Sequence, residues 1–311
     1  MSVVVLGELN VDIIISGNDL MPEWNREKLI DSFDIVLGSS SAITACALAG
    51  LGQDVRFVSV VGDDDFGRFC IRELERMGVD TAHVKRDPAL KTGVTMSFST
   101  PSDRGLMTYP GSIPMLQPQD VPDTLLKQAA HVHFGSYFLQ DGMRDHWKPL
   151  FETARTQGSS TSFDTGWDVH QLWHRASIHA LLGATDLFIP SEEELLHIYG
   201  AATLEAVWEL LPPDARLVAV KRGAAGAALF QPDATPLSVK AYDIVPVDTT
   251  GAGDAFNAGL IHAYLGGQRG EALLRYACAC GAIATQGVGG TGQLPTAEAV
   301  EKLQASVAIR S

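Results

Sequence analysis

Across 311 residues, 37 Asp and Glu outnumber 23 Lys and Arg, which gives a formal net charge of −14 and a pI near 5.0. An acidic surface of this kind disfavours nucleic acid and anionic membranes as partners, and any anionic substrate must be drawn in by local features of the chain. Apolar residues make up 46% of the sequence, enough for a large core and too many for a disordered chain. No apolar run approaches the roughly 18 residues of a membrane span, and the N-terminus lacks the basic and hydrophobic blocks of a signal peptide. Cys46, Cys70, Cys278 and Cys280 lie in apolar helical stretches without metal-ligand spacing, so buried free thiols and a cytoplasmic setting are expected.

In chain order, Val3 to Leu6 reads as a first buried strand, and the alternation from Glu8 onward continues as a second. Asp12 then stands just beyond a central strand, where open α/β sheets bind ligands, although a solvated turn acid would look the same. Residues 17–33 are polar and interrupted by Pro22, with Trp24 exposed. Gly38 and Ser39 to Ser41 lead into a stretch, ending at Gly52, that is apolar on all sides; the serines should cap a buried helix. Phe66, Phe69, Cys70, Leu74 and Met77 recur at helical spacing, with Gly78 as the C-terminal cap. Thr92 to Thr100 and Gly105 to Tyr109 alternate around a Pro-Ser-Asp-Arg-Gly turn, the pattern of a hairpin.

From Pro122 the chain alternates helices with short strands at His131–Phe134, Ser162–Asp164, Asp186–Ile189 and Leu217–Lys221. That pattern predicts β-α-β units and a parallel sheet with helices on both faces. His131 and His133 fall on one side of a strand, and His170 and His174 are expected at i, i+4 on a helix. Neither pair has a third partner beyond Asp168, so a metal there is not expected. Pro190-Ser-Glu-Glu-Glu opens a helix whose first-turn acids suit the helix dipole. A strand through Lys221 ends in the glycine turn at Gly223. Arg275 to Gln286 is a small-residue helix, and 287–292 reads as a mobile loop.

The most informative stretch is Asp248 to Gly259, Asp-Thr-Thr-Gly-Ala-Gly-Asp-Ala-Phe-Asn-Ala-Gly. A β-prone run, Asp243 to Val247, precedes it, and a buried helix follows. The turn at Gly251, Ala252 and Gly253 therefore sits at a helix N-terminus, where unpaired N–H groups carry partial positive charge and a missing side chain lets an anion approach. Asp254 lies beside that anion site. If the anion is a phosphoryl group in transfer, the amides stabilise developing charge and Asp254 takes a hydroxyl proton. A bare Gly-x-Gly-Asp also fits a plain turn followed by a helix-favouring acid.

The twelve-residue string closely resembles the C-terminal signature of the ribokinase-like carbohydrate kinases, the PfkB family, and segments in the same order resemble it along nearly the whole chain. The resemblance implies a ribokinase-like three-layer α/β/α sandwich with a mostly parallel central sheet and a small β-sheet lid. One kinase domain over 1–311 is expected, with lid segments at about 12–36 and 90–112. It implies transfer of the γ-phosphate of ATP, with Mg2+ and a monovalent cation such as K+ as candidate cofactors, to a sugar hydroxyl. Gly251, Ala252 and Gly253 become the anion hole and Asp254 the general base. Asn10, Asp12, Gly38 and Ser39 become sugar contacts, and Lys221, Gly223, Thr249 and Glu194 nucleotide contacts, with Glu194 reaching the metal through Mg-ATP. Trp24 could stack on the sugar if it belongs to the lid. A homodimer paired through the lids is also implied.

The chain departs from the pattern at Ser39, where a second glycine is usual, at Ile43, where an asparagine commonly meets the sugar, and at Ser191, which replaces an asparagine. Only Arg26, Lys28 and Arg104 are available to meet a charged substituent. A neutral pentose or ketohexose is therefore the expected acceptor. A nucleoside, a sugar acid or a phosphosugar are the alternatives within the fold, and a non-catalytic sugar- or nucleotide-binding regulator is the alternative outside enzymes.

Overall fold

The computed structural model describes residues 2–100 and 104–306. The chain starts in β1 (Ser2–Leu6), passes through β2 (Asn10–Ser16) and β3 (Ser32–Leu37), and enters helix α1 (Ser40–Gly50). Next come β4 (Val55–Gly62), α2 (Asp65–Arg76), β5 (Asp80–Asp87) and the hairpin β6 (Gly93–Ser99) with β7 (Arg104–Tyr109). Helices and strands then alternate as α3 (Asp123–Leu126), β8 (Ala129–Phe134), α4 (Trp147–Thr156), β9 (Ser160–Phe163), α5 (Arg175–Leu182) and β10 (Leu187–Phe188). The chain continues through α6 (Glu192–Tyr199), α7 (Leu204–Trp208), β11 (Leu217–Lys221), β12 (Ala227–Phe230) and β13 (Leu237–Val239), and closes with α8 (Ala252–Leu265), α9 (Gly270–Ala284) and α10 (Ala297–Ser306).

Among the described residues the strands form two sheets: nine strands in the order β13-β12-β11-β10-β9-β8-β1-β4-β5, and four in the order β3-β2-β6-β7. The large sheet is parallel from β11 to β5, and among its described strands only β12 is reversed, pairing antiparallel with both β11 and β13. Strands buried on both faces must be apolar at every position, and Ser-Val-Val-Val-Leu in β1 is buried throughout. Val3 and Val5 face a layer containing α1, α2, α8 and α9, while Val4 and Leu6 face one containing α3 to α7. On the second side Phe134 stacks on Trp147 with ring centroids 3.7 Å apart. Burying each such ring contributes on the order of 2–3 kcal/mol.

This order places the active edge. β1 has β4 on one side and β8 on the other, so the connections diverge at β1 and a crevice opens beyond the carboxyl ends of the parallel strands. The small sheet lies over that crevice because β2 leaves the end of β1 and pairs with β3 and β6.

Several expectations change. Asp12 lies within lid strand β2 and not beyond a central strand, because the alternation from Asn10 pairs with β3 and β6 instead of extending β1. Asp243 to Val247 is loop, since Pro246 lacks the N–H a strand needs and β13 already forms the sheet edge. His170 and His174 share no helix: the Asp168 carboxylate accepts from the backbone N–H groups of His170, Leu172 and Trp173 and curls the segment into a turn before α5. Trp24 is 97% exposed. Lys28 pairs with Asp19 and Glu23, and Arg26 with Glu23. The turn at 101–103 and the side chain of Arg104 lie outside the described residues.

Candidate active site

Beyond the strand ends, the parallel sheet delivers one polar side chain after another to the same crevice. β1 is followed by Glu8, β8 by Ser136, β9 by Asp164 and β10 by Ser191 to Glu194, while β11 ends on Lys221. Helix α8 points its N-terminus into this row. Gly251, at φ +76, is its N-cap, and a side chain there would meet Gly290 at 2.6 Å, so only glycine fits. Asp248 holds the approach by accepting from Thr250 N (2.9 Å), Thr250 Oγ1 (2.8 Å) and Gly289 N (2.8 Å). The 287–292 segment, read from sequence as mobile, is thereby tied to the turn.

Two cavities meet across residues 251–254. One, of about 500 Å3, is lined by Ser191, Glu194, Lys221, Gly223, Thr249 and Gly253, with Ile244, Phe256 and Ala282 among its apolar walls. The other, of about 260 Å3, lies under the lid and is lined by Asn10, Asp12, Ser39, Thr95, Thr108 and Asp254, with Ile14, Ile43 and Leu139 on its apolar side. No Lys or Arg lines this second cavity among the described residues. Asp12 Oδ1 accepts from Asn10 Nδ2 at 3.0 Å. A side chain at Gly38 would meet that oxygen at 2.1 Å, so the glycine makes room for the carboxylate.

Asp254 sits where the cavities join. Its Oδ1 accepts from Ser40 Oγ at 2.5 Å, and its backbone carbonyl accepts from Thr44 Oγ1 at 3.3 Å. Burial pushes its carboxyl up to about 7; the Ser40 hydrogen bond opposes the rise and the negative charges of Asp164 and Glu8 add to it. A carboxylate poised near neutrality is suited to taking a proton.

In the larger cavity, Lys221 is 14% exposed, forms an ion pair with Asp164 and lies 3.4 Å from Asn257 Oδ1. Burial works against its charge, yet Asp164 and Glu194 hold its pKa above the ordinary lysine value. Asn257 Nδ2 donates to Asp164 Oδ2 at 2.7 Å and completes the cluster. Nζ is 3.7 Å from where a Gly253 Cβ would stand, so the ammonium lies against the glycine turn. Glu194 closes a capping box with Ser191, accepting from Ser191 N at 2.9 Å while Ser191 Oγ accepts from Glu194 N. Burial and the nearby Asp164 raise its pKa, a strain that a cation beside it would relieve.

The floor of the smaller cavity is a buried carboxylate that the sequence reading passed over. Glu8, 2% exposed, accepts from Ser39 Oγ (3.1 Å), Ser41 N (3.2 Å), Ser41 Oγ (2.7 Å), Ser136 Oγ (3.0 Å) and Gln140 Nε2 (2.7 Å). Ser39, standing where glycine is usual, also caps α1 through Ala42 N and donates to the Glu8 carbonyl. Asp164, Asn257 and Ser40 were likewise missed. Ile43 is buried and packs against Gly290 while lining the cavity, and Gly290 in turn lies against Gly251, so the residue that departs from the family pattern also supports the glycine turn. His131 and His133 are fully buried and bridged by Ser162, with His133 pushed down to about 4 by burial. Among the described residues no cluster of three or more His, Cys, Asp or Glu could hold a metal.

The pfkB family carbohydrate kinase profile matches residues 1–297. The chain belongs to that family. Among curated relatives, it is 35% identical to an ATP-dependent ribose-1-phosphate kinase from Halopiger xanaduensis, over 94% of this chain and 95% of the relative. It is 30% identical to fructokinase-1 of Oryza sativa subsp. japonica, over 98% of each. A crystal structure assigned as a ribokinase II from E. coli, in complex with ATP and Mg2+, superposes with a TM-score of 0.85 at 27% identity, covering 98% of this chain and 99% of that one. This pfkB kinase thus has the ribokinase-like α/β fold with its small lid sheet.

Proposed function

We propose that this carbohydrate kinase transfers the γ-phosphoryl group of Mg-ATP to a hydroxyl of a neutral pentose or ketohexose. The supporting observation is the charge contrast between the cavities that meet at residues 251–254. The larger holds Lys221, Arg222 and the N-terminus of α8, features that attract a polyanion. The smaller holds Glu8, Asp12 and Asp254, with neutral hydroxyl and amide groups as the other polar lining among the described residues, which favours a polyol over a phosphate.

In this reading the amides at Gly251 to Gly253 and the Lys221 ammonium take up charge developing on the phosphoryl oxygens. Asp254 accepts the hydroxyl proton, and Asp12 and Asn10 orient the sugar, with Gly38 and Ser39 shaping the wall beside them. Gly223 and Thr249 border the nucleotide. Glu194 is the carboxylate that suits Mg2+ arriving with ATP; the ion neutralises phosphate charge and is bound largely by the nucleotide. Exposed Phe33, Ile35, Met107 and Tyr109 on the lid strands support pairing of two copies through the lid, which sedimentation would test. The four free cysteines fit a cytoplasmic setting.

The similarity to a ribose-1-phosphate kinase favours a second reading, a phosphorylated pentose as acceptor. ADP release with Mg-ATP, measured across neutral pentoses, ketohexoses, nucleosides, sugar acids and ribose 1-phosphate, separates the two. Turnover with a neutral sugar that is lost in Asp254→Asn supports the first reading; turnover with ribose 1-phosphate alone replaces it with the second. The same assay with and without K+ tests the monovalent cation.

A further inference from the structure

We propose that Ser40 is a positioning residue for catalysis, its hydroxyl fixing Oδ1 of Asp254 so that Oδ2 is left to receive the acceptor's proton. The inference rests on Asp254 being the base. Three consecutive serines open α1, and two of them serve the scaffold. Ser39 caps the helix and donates to the Glu8 carbonyl. Ser41 donates to Glu8 Oε2 and accepts from Gly135 N. Ser40 alone of the three turns to the catalytic carboxylate, at 2.5 Å. One turn further along the same face, Thr44 donates to the Asp254 backbone carbonyl, so α1 grips both the main chain and the side chain of the base. The grip is preorganised, because Ser41 through Leu48 are buried and cannot shift freely.

The other groups around the base leave this task to Ser40. Lys221 from β11 is paired with Asp164 and lies beside Asn257; its charge also favours the Asp254 anion, but among the described residues it makes no hydrogen bond to that carboxylate. Asp164 beyond β9 and Glu8 beyond β1 are negative and oppose ionisation of Asp254; Asp12 of β2 lines the same cavity. Residues 287–292, packed on the turn, carry no titratable side chain. Oδ2 has no hydrogen-bond partner among the described residues. A hydroxyl donor to Oδ1 therefore favours the anionic base and sets the carboxylate plane in a single interaction.

The test pairs kinetics with direct titration, using the full chain with Ser40→Ala, Ser40→Cys and Ser40→Thr. The thiol keeps the volume with a weak donor, so Ser40→Cys serves if the alanine variant misfolds. In Ala and Cys the acid limb of kcat/KM should move up by about one pH unit, and kcat on the alkaline plateau should fall by about tenfold with sugar KM unchanged. Thr should restore both. In ligand-free protein the Asp254 carboxyl, followed by 13C NMR, should titrate at correspondingly higher pH in Ala and Cys. Titration and acid limb coinciding with wild type would overturn the proposal, as would a loss confined to thermal stability or sugar KM. If the wild-type protein turned over no acceptor in the panel, the proposed function would fall, while the NMR titration would still decide whether Ser40 controls Asp254.

Discussion

The two cavities differ in how their charges are held. On the nucleotide side of the proposed site both cations are already paired, Lys221 with Asp164 and Arg222 with Glu192, while Glu194 is held by the hydrogen bonds of its capping box. On the acceptor side of the proposed site no Lys or Arg lines the pocket among the described residues, and hydroxyl, amide and backbone N–H groups donate to its carboxylates. Charge compensation fixes the first cavity before ligand arrives. The second keeps hydrogen-bond acceptors open for a ligand rich in hydroxyl donors.

The largest expected effect tests which side does the chemistry. Asp254→Asn should lower kcat by about 10²–10⁴-fold, the range for a lost general base, with ATP affinity by calorimetry unchanged. The same variant carries a stability signature. Because the folded pKa of Asp254 is raised to about 7, the folded state binds its proton more tightly than the unfolded state, and this stabilisation is lost as pH rises from about 4 to 7. Asn should therefore raise Tm most at pH 8, less at pH 5, and leave it near wild type only at about pH 4.

Lys221→Met should come next. It removes a cation from the phosphate side and leaves Asp164 buried without its partner, at a cost of about 3–5 kcal/mol in denaturant unfolding. Adding Asp164→Asn should recover most of the stability and none of the lost ATP-dependent turnover, which separates the structural role of the pair from the catalytic role of the lysine. On the acceptor side Asp12→Ala should raise sugar KM by about 10–100-fold, the worth of hydrogen bonds to a charged group, and change kcat much less. The smallest effect is expected from Ile43→Val, a loss of about 1 kcal/mol of stability with steady-state constants near wild type. A large change in kcat there would mean that packing against Gly290 controls the turn.

Much of this was legible in the sequence where one contiguous stretch carried the whole device. The glycine turn, its helix and Asp254 are local, and so is the acidic first turn of α6. Strands β1, β8, β9, β10 and β11 were readable as short runs alternating with helices, whereas β5, a polar strand at the sheet edge, was not. What escaped were residues whose meaning depends on a partner far along the chain. Glu8 is 128 residues from Ser136, and Asp164 is 93 from Asn257. A local signal did exist in both cases: an acid directly beyond a buried strand, and a lone Asn257 in a helix otherwise apolar on that face. Asp12 was misplaced because the alternation of β2 carries no label saying which sheet it joins.

The cage around Glu8 also governs how this pocket can be altered. Its donors come from three separate stretches, the entry to α1, Ser136 after β8 and Gln140 beyond it, so their substitutions should not behave independently. A graft that imports only the Ser39 to Ser41 loop from a relative would leave an anion short of donors in the interior. To retune sugar preference by recombination, the three stretches must be exchanged as one block together with residue 8.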